Sequence, residues 1–179
     1  MIGVKNYREG VTLLEIMIAI SVFSIVIIGA IGLFASLIKN QKMLLDKAYV
    51  LNTLSYSTEY MAKALRMAQK DVNGNCIGAN ENFELQGSSH IKFLNYNNEC
   101  QEFWLESNIL KVRKLNATHN LTPGNINIEN LTFVVVGSSQ EDFIQPKVSF
   151  SVKAKPTTNT VPSLFIQTTI SQRMLDVLY

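Results

Sequence analysis

From Val11 to Ile38 the chain is apolar with one exception. The run VTLLEIMIAISVFSIVIIGAIGLFASLI holds 28 residues and a single charge, Glu15. As a helix rising about 1.5 Å per residue it is roughly 42 Å long, enough for a hydrocarbon core of about 30 Å. The competing reading is a buried core helix, but apolar runs of that kind are usually much shorter. Beyond Ile38 the composition changes while the helical signal continues. Leu44, Ala48, Leu51, Leu54, Met61, Leu65 and Ala68 recur at helical spacings, with one polar gap near Ser57 and Thr58, and neither Pro nor Gly occurs between Leu33 and Asn73. The pattern predicts one helix running to about Gln69, stopped by Asn73-Gly74-Asn75. Its first half is apolar all round and its second half carries a stripe that needs a surface to dock on.

The C-terminal part supplies that surface as strands. Lys147 to Lys155 alternates, with Val148, Phe150, Val152 and Ala154 on one face and Lys147, Ser149, Ser151, Lys153 and Lys155 on the other. Gln101 to Glu106, Ile109 to Leu115, Leu131 to Val136 and Leu164 to Ile170 carry β-branched and aromatic residues, with a further strand at Ile91 to Leu94. Ser107-Asn108 reads as a short hairpin turn. An antiparallel sheet of four to six strands is expected, with loops at 116–125 and 156–162. The fold class is therefore α+β, a long N-terminal helix packed on a C-terminal antiparallel sheet. The pattern divides the chain into a short N-terminal segment at 1–10, a helix at 11–38 that can cross a membrane, its amphipathic continuation at 39–70 and a globular β domain at 71–179.

Composition narrows the function classes. The 179 residues include 16 basic and 14 acidic ones, a net charge of +2 with no clustered basic face, so no direct nucleic-acid partner is expected. Two cysteines, Cys76 and Cys100, and two histidines, His90 and His119, stand at spacings that make no zinc set. Glu81, Glu84, Glu99, Glu102, Glu141 and Asp142 are scattered, so no metal ligands are assigned and no cofactor is expected. No catalytic residue emerges, because neither histidine has a nucleophile at a recognisable spacing and Ser88-Ser89 beside His90 reads as loop or strand-edge polarity. The Asn-x-Thr tripeptides at Asn116, Asn120 and Asn130 match a glycosylation acceptor pattern and are read as chance in an asparagine-rich chain. Lys5 and Arg8 precede the apolar run and Lys39, Lys42 and Lys47 follow it, so the positive-inside rule does not orient it. The run is also too long for a secretory signal and lacks a small-x-small cleavage site after it.

The informative residues stand where the leader meets the apolar run: Arg8-Glu9-Gly10, then Val11-Thr12-Leu13-Leu14-Glu15-Ile16. This join resembles the class III signal of type IV prepilins and of type II secretion or competence pseudopilins. Such a signal has a short basic leader ending in glycine, then the scissile bond, then glutamate as the fifth residue beyond it. The resemblance implies cleavage between Gly10 and Val11 by a membrane-bound prepilin peptidase, methylation of the Val11 amine, and a role for Glu15 in assembly by pairing with the amine of a neighbouring subunit. It implies other pilin or pseudopilin subunits, an inner-membrane assembly platform and membrane lipid as partners. The implied location is the inner membrane, single-pass, with the C-terminal domain outside the cytoplasm, and then a pilus or pseudopilus filament. Two departures are visible. Val11 stands where phenylalanine or another methylated aromatic or apolar residue is usual, and Gly29 and Gly32 occupy a run in which many members carry a proline.

Physics supports the resemblance most directly at Glu15, because a carboxylate in an apolar membrane segment needs a partner or a route to water. The plainer alternative is a carboxylate that snorkels to the headgroups. Gly29 and Gly32, with Ser21, Ser24 and Ser36, either permit close helix approach or reflect the ordinary composition of membrane helices. In a domain outside the cytoplasm Cys76 and Cys100 are expected to form a disulfide closing a 25-residue loop, the alternative being two separate buried thiols. The leading functional expectation is a minor structural subunit of a pilus or pseudopilus. Its rival is a single-pass, membrane-anchored extracytoplasmic binding domain that does not assemble.

Overall fold

The computed structural model describes residues 10–139, 144–158 and 161–173. One helix, α1 (Leu13–Arg66), precedes eight strands: β1 (Glu84–Leu85), β2 (His90–Leu94), β3 (Cys100–Glu106), β4 (Ile109–Lys114), β5 (Ala117–Asn120), β6 (Ile126–Val136), β7 (Lys147–Pro156) and β8 (Leu164–Ser171). All neighbouring pairs are antiparallel, in a five-stranded sheet β1-β2-β3-β4-β5 and a three-stranded sheet β6-β7-β8. The α+β class read from the periodicities, a long N-terminal helix packed on antiparallel strands, holds, with two sheets where one was expected. The chain divides into two compact units, 1–44 and 45–179.

In the second unit, one hydrophobic core joins α1 to both sheets. Val50, Leu54, Met61, Leu65 and Ala68 pack with Phe83, Ile91, Phe93, Phe103 and Leu110 of the first sheet region and with Ile128, Phe133, Val148, Phe150 and Val152 of the second. The buried stripe differs from the predicted one at its start. Leu44, Ala48 and Leu51 are exposed, whereas Val50 is closed off, and the polar gap at Ser57 and Thr58 lies on the buried face. These hydroxyls enter an apolar setting because the helix satisfies them: Thr58 Oγ1 donates to the Ser55 carbonyl at 3.0 Å, and Ser57 Oγ lies 2.8 Å from the Thr53 carbonyl and 3.3 Å from that of Leu121.

The helix stops at Arg66, short of Gln69, because the sheets take over its backbone. The Gln69 N–H donates to the Leu94 carbonyl at 2.8 Å, the Arg173 N–H to the Arg66 carbonyl at 2.8 Å, and Gln172 Nε2 to the Ala68 carbonyl at 2.8 Å. Asn73-Gly74-Asn75 therefore lies in the loop beyond the helix. Asp71, 2% exposed, organises that loop by accepting the N–H groups of Cys76 at 2.6 Å and Ile77 at 3.1 Å. Gly74 takes φ +69° inside the same turn, a region that favours glycine. Cys76 and Cys100 are disulfide-bonded, Cα–Cα 5.3 Å, tying the loop to the first residue of β3.

The hairpins explain the strand count. Ser107 and Asn108 both have positive φ, 51° and 62°, as a two-residue primed turn demands. Leu115 and Asn116 do the same at 51° and 63°, so β5 folds back where a loop was expected over 116–125. The wholly exposed ATHN segment gives β5 no alternation to detect. Strand β6 changes phase between Ile128 and Asn130, where the register slips, so that Leu131 and Phe133 again face the core. The slip leaves Glu129 on the surface, accepting from Ser163 Oγ at 2.8 Å and paired with Lys153 at 3.2 Å and Lys155 at 3.0 Å. The Ser163 hydrogen bond, then those of the two lysines, hold its carboxyl at about 2. Two further bonds join the sheets: the Ile128 N–H to the Asn108 carbonyl at 2.9 Å, and the Phe133 N–H to the Ser88 carbonyl at 2.7 Å.

Candidate processing and assembly site

The leader residues Lys5, Arg8 and Glu9 lie outside the described residues. Gly10, Val11 and Thr12 precede the helix in non-helical conformation, and all three are exposed. A Cβ added at Gly10 would meet nothing within 4 Å, so this chain has no steric need of glycine there. A requirement for glycine would come from whatever binds the segment.

Thr12 is the residue that sequence reasoning missed. Its Oγ1 accepts the Glu15 N–H at 3.3 Å, and its carbonyl accepts the N–H groups of Glu15 at 3.1 Å and Ile16 at 3.3 Å. Thr12 is thus the N-cap of α1, worth about 1 kcal/mol in typical helices. The four residues Thr12-Leu13-Leu14-Glu15 match the spacing of a capping box, the signal by which Thr12 is legible. The cap places Glu15 in the first helical turn, where a carboxylate also meets the positive end of the helix dipole. Gly10, Val11 and Glu15 therefore stand within half a dozen residues at an exposed helix start.

From Gly10 to Lys42 every residue is exposed, including Leu14, Ile18, Phe23, Ile28 and Phe34. The helix carries an apolar window with mean hydropathy 2.8, none of it buried, long enough to cross a membrane. Its serines are adapted to an apolar surrounding: Ser21 Oγ donates to the Met17 carbonyl at 2.7 Å and Ser24 Oγ to that of Ile20 at 2.8 Å. Gly29 and Gly32 have open space around them.

Residues 5–31 match the family model described as the prokaryotic N-terminal methylation motif. The methylation motif is the class III signal of type IV pilin-like prepilin-peptidase substrates, and it points to a structural protein rather than an enzyme. It implies processing by prepilin peptidase and assembly with other pilin subunits, and the single apolar helix fits the membrane anchoring of such proteins. No curated protein and no solved structure matches the chain.

The other residues singled out in the sequence belong to the second unit. His90 Nε2 is 3.2 Å from Glu102 Oε2, which also faces Arg113 Nη1 at 3.4 Å, and the His90 ring lies against Trp104. Ser88 and Ser89 use their backbone carbonyls to accept the N–H groups of Phe133 and Leu105. His119 is exposed on β5, opposite Val112. Among the described residues no group of three His, Cys, Asp or Glu could hold a metal ion, and Glu141 and Asp142 lie outside them.

Proposed function

We propose that the chain is a minor structural subunit of a type IV pilus or pseudopilus, cut between Gly10 and Val11 and assembled through α1. The observation that carries this reading is the methylation motif on an apolar helix that the chain itself leaves uncovered. Residues 1–10 are the leader, the Val11 amine is methylated after cleavage, and residues 11–38 first cross the inner membrane and then line the filament core. The disulfide-bonded β domain lies outside the cytoplasm, where such a bond persists. Prepilin peptidase, other subunits, the assembly platform and lipid are the partners.

Glu15 takes the decisive role because its two fates have opposite signs. In a lone anchor its charge is a cost that leucine would remove; in a filament it is the partner of a neighbour's Val11 amine. A Glu15→Leu variant is expected to insert at least as well as the parent, to keep its disulfide and β domain, and to fail to enter filaments. Assembly at parental efficiency would refute the pairing. Mass spectrometry of membrane-extracted protein tests the cut: a methylated Val11 start is expected, and an intact leader would favour a plain anchor.

A further inference from the structure

A cavity of about 220 Å³ opens between the last turns of α1 and the β2–β3 hairpin. Tyr60, Lys63 and Met67 line one side of it and Tyr96, Gln101 and Lys114 the other. Gln101 is 4% exposed, and its amide can be oriented from the backbone outward. Asn95 Oδ1 accepts the N–H groups of Asn97 at 2.9 Å and Glu99 at 3.1 Å, which makes the other end of that amide the donor. Asn95 Nδ2 then donates to Glu99 Oε2 at 3.2 Å and to Gln101 Oε1 at 3.3 Å. Gln101 must present its carbonyl to Asn95, which leaves Nε2 as the free end. That nitrogen is buried and finds no acceptor among the described residues. A buried N–H pair without an acceptor is unfavourable, and Gln101 is one of the residues that line the cavity.

The charges beside it say which acceptor. Lys114 Nζ lies 3.6 Å from Glu99 Oε2 and 5.8 Å from the centre of the Tyr96 ring. Lys63 adds a second ammonium group to the lining, so the cavity carries two lysines, one of them paired with the nearby Glu99. A single net positive charge beside a planar amide donor suits a carboxylate better than a phosphate, whose greater charge would be left uncompensated. The Met67 and Tyr96 walls suit the short carbon chain that carries it. We propose that this cavity binds a carboxylate, held by Gln101 Nε2 and by the ammonium groups of Lys63 and Lys114. The carboxylate belongs either to a small free acid or to an acidic side chain of another protein chain.

The test uses the full ¹⁵N-labelled chain in detergent micelles and follows the Gln101 side-chain amide by NMR. Succinate, the peptide acetyl-Ala-Glu-Ala-amide, the neutral isostere succinamide, and sodium chloride at matched ionic strength are titrated in parallel. A saturable shift with a carboxylate, at a Kd on the order of 1 mM, is expected. Tighter binding of the peptide assigns the source to a protein side chain, and tighter binding of succinate to a free acid. Lys63→Glu, at an exposed position of α1, should weaken binding about tenfold or more, one ion-pair's worth of affinity. Gln101→Leu should abolish it. The proposal is overturned if succinamide or chloride shifts the amide as the carboxylates do, or if Lys63→Glu binds like the parent. Glu15→Leu protein should bind normally, which separates this site from the assembly reading.

Discussion

Helix α1 is continuous in its hydrogen bonds and divided in its chemistry. From Leu13 to Lys42 every side chain is exposed, whereas from Val50 to Leu65 one face is closed by the core. The exposed half is dense in isoleucine and valine, which are mediocre helix formers in water. It is suited to a medium that offers the backbone no alternative partner, where only intrahelical bonds satisfy it. The other half admits serine and threonine at buried positions because tertiary packing, not propensity, holds it. One element thus depends on what lies outside the chain, and the other on what lies inside it.

The sharpest way to break this comparison is to empty the core beneath the second half. Phe103 is fully buried, edge-on to Tyr60 at 6.0 Å and beside Phe93 at 5.7 Å. Phe103→Ala should cost about 3–5 kcal/mol. In micelles, hydrogen exchange should then accelerate across Val50 to Leu65 and stay slow from Leu13 to Lys42. Equal loss in both halves would mean that they fold as one cooperative unit.

Removing the disulfide should act on the same side of the divide with a smaller effect. Cys76 and Cys100 are 24 positions apart, and a Cys76→Ser/Cys100→Ser double variant should lose about 3 kcal/mol in denaturant unfolding of the β domain. Insertion of the apolar half, followed by carbonate extraction, should not change.

The smallest effect, and the most pH-selective, belongs to Asp71. Burial alone would raise its carboxyl, but the N–H groups of Cys76, Ile77, Asn75 and Gly74 outweigh burial and hold it below its ordinary 3.8. Its stabilising contribution is therefore complete above the ordinary value and is lost as pH falls through the lowered one. Asp71→Asn should cost about 1–3 kcal/mol at neutral pH, and its melting temperature should fall less steeply than the parent's in acid. Parallel acid profiles would place the loop's stability elsewhere.

The parts of this molecule that could be read from its sequence are those that obey a local rule of spacing or turn chemistry. The apolar run, the alternation of β7 and the Ser107-Asn108 turn each repeat a local rule, and the structure follows them. Strand β5 was illegible because its four exposed residues alternate nothing, and the turn before it puts Leu115, an unusual choice, at positive φ. The phase of the helix stripe was misplaced because Val50 and Leu51 are both apolar, and only the partner surface chooses between them. At the candidate site, the glycine and glutamate were visible as a motif, whereas Thr12, although it has the capping-box spacing from Glu15, is marked as the cap by its hydrogen bonds. The orientation of Gln101 follows from backbone bonds to Asn95 and could not be read from residue types.

The helix end has a mechanical meaning. Arg66, Ala68 and Gln69 are gripped by Arg173, Gln172 and Leu94, residues drawn from the ends of two different sheets. A pull applied along α1 would reach three hydrogen bonds together, two leading into the last strand and one into β2. Tension is shared before any one strand can peel, and the force has to shear the packed face from Val50 to Ala68 at the same time. A domain built this way can be dragged by its helix without being unravelled from it.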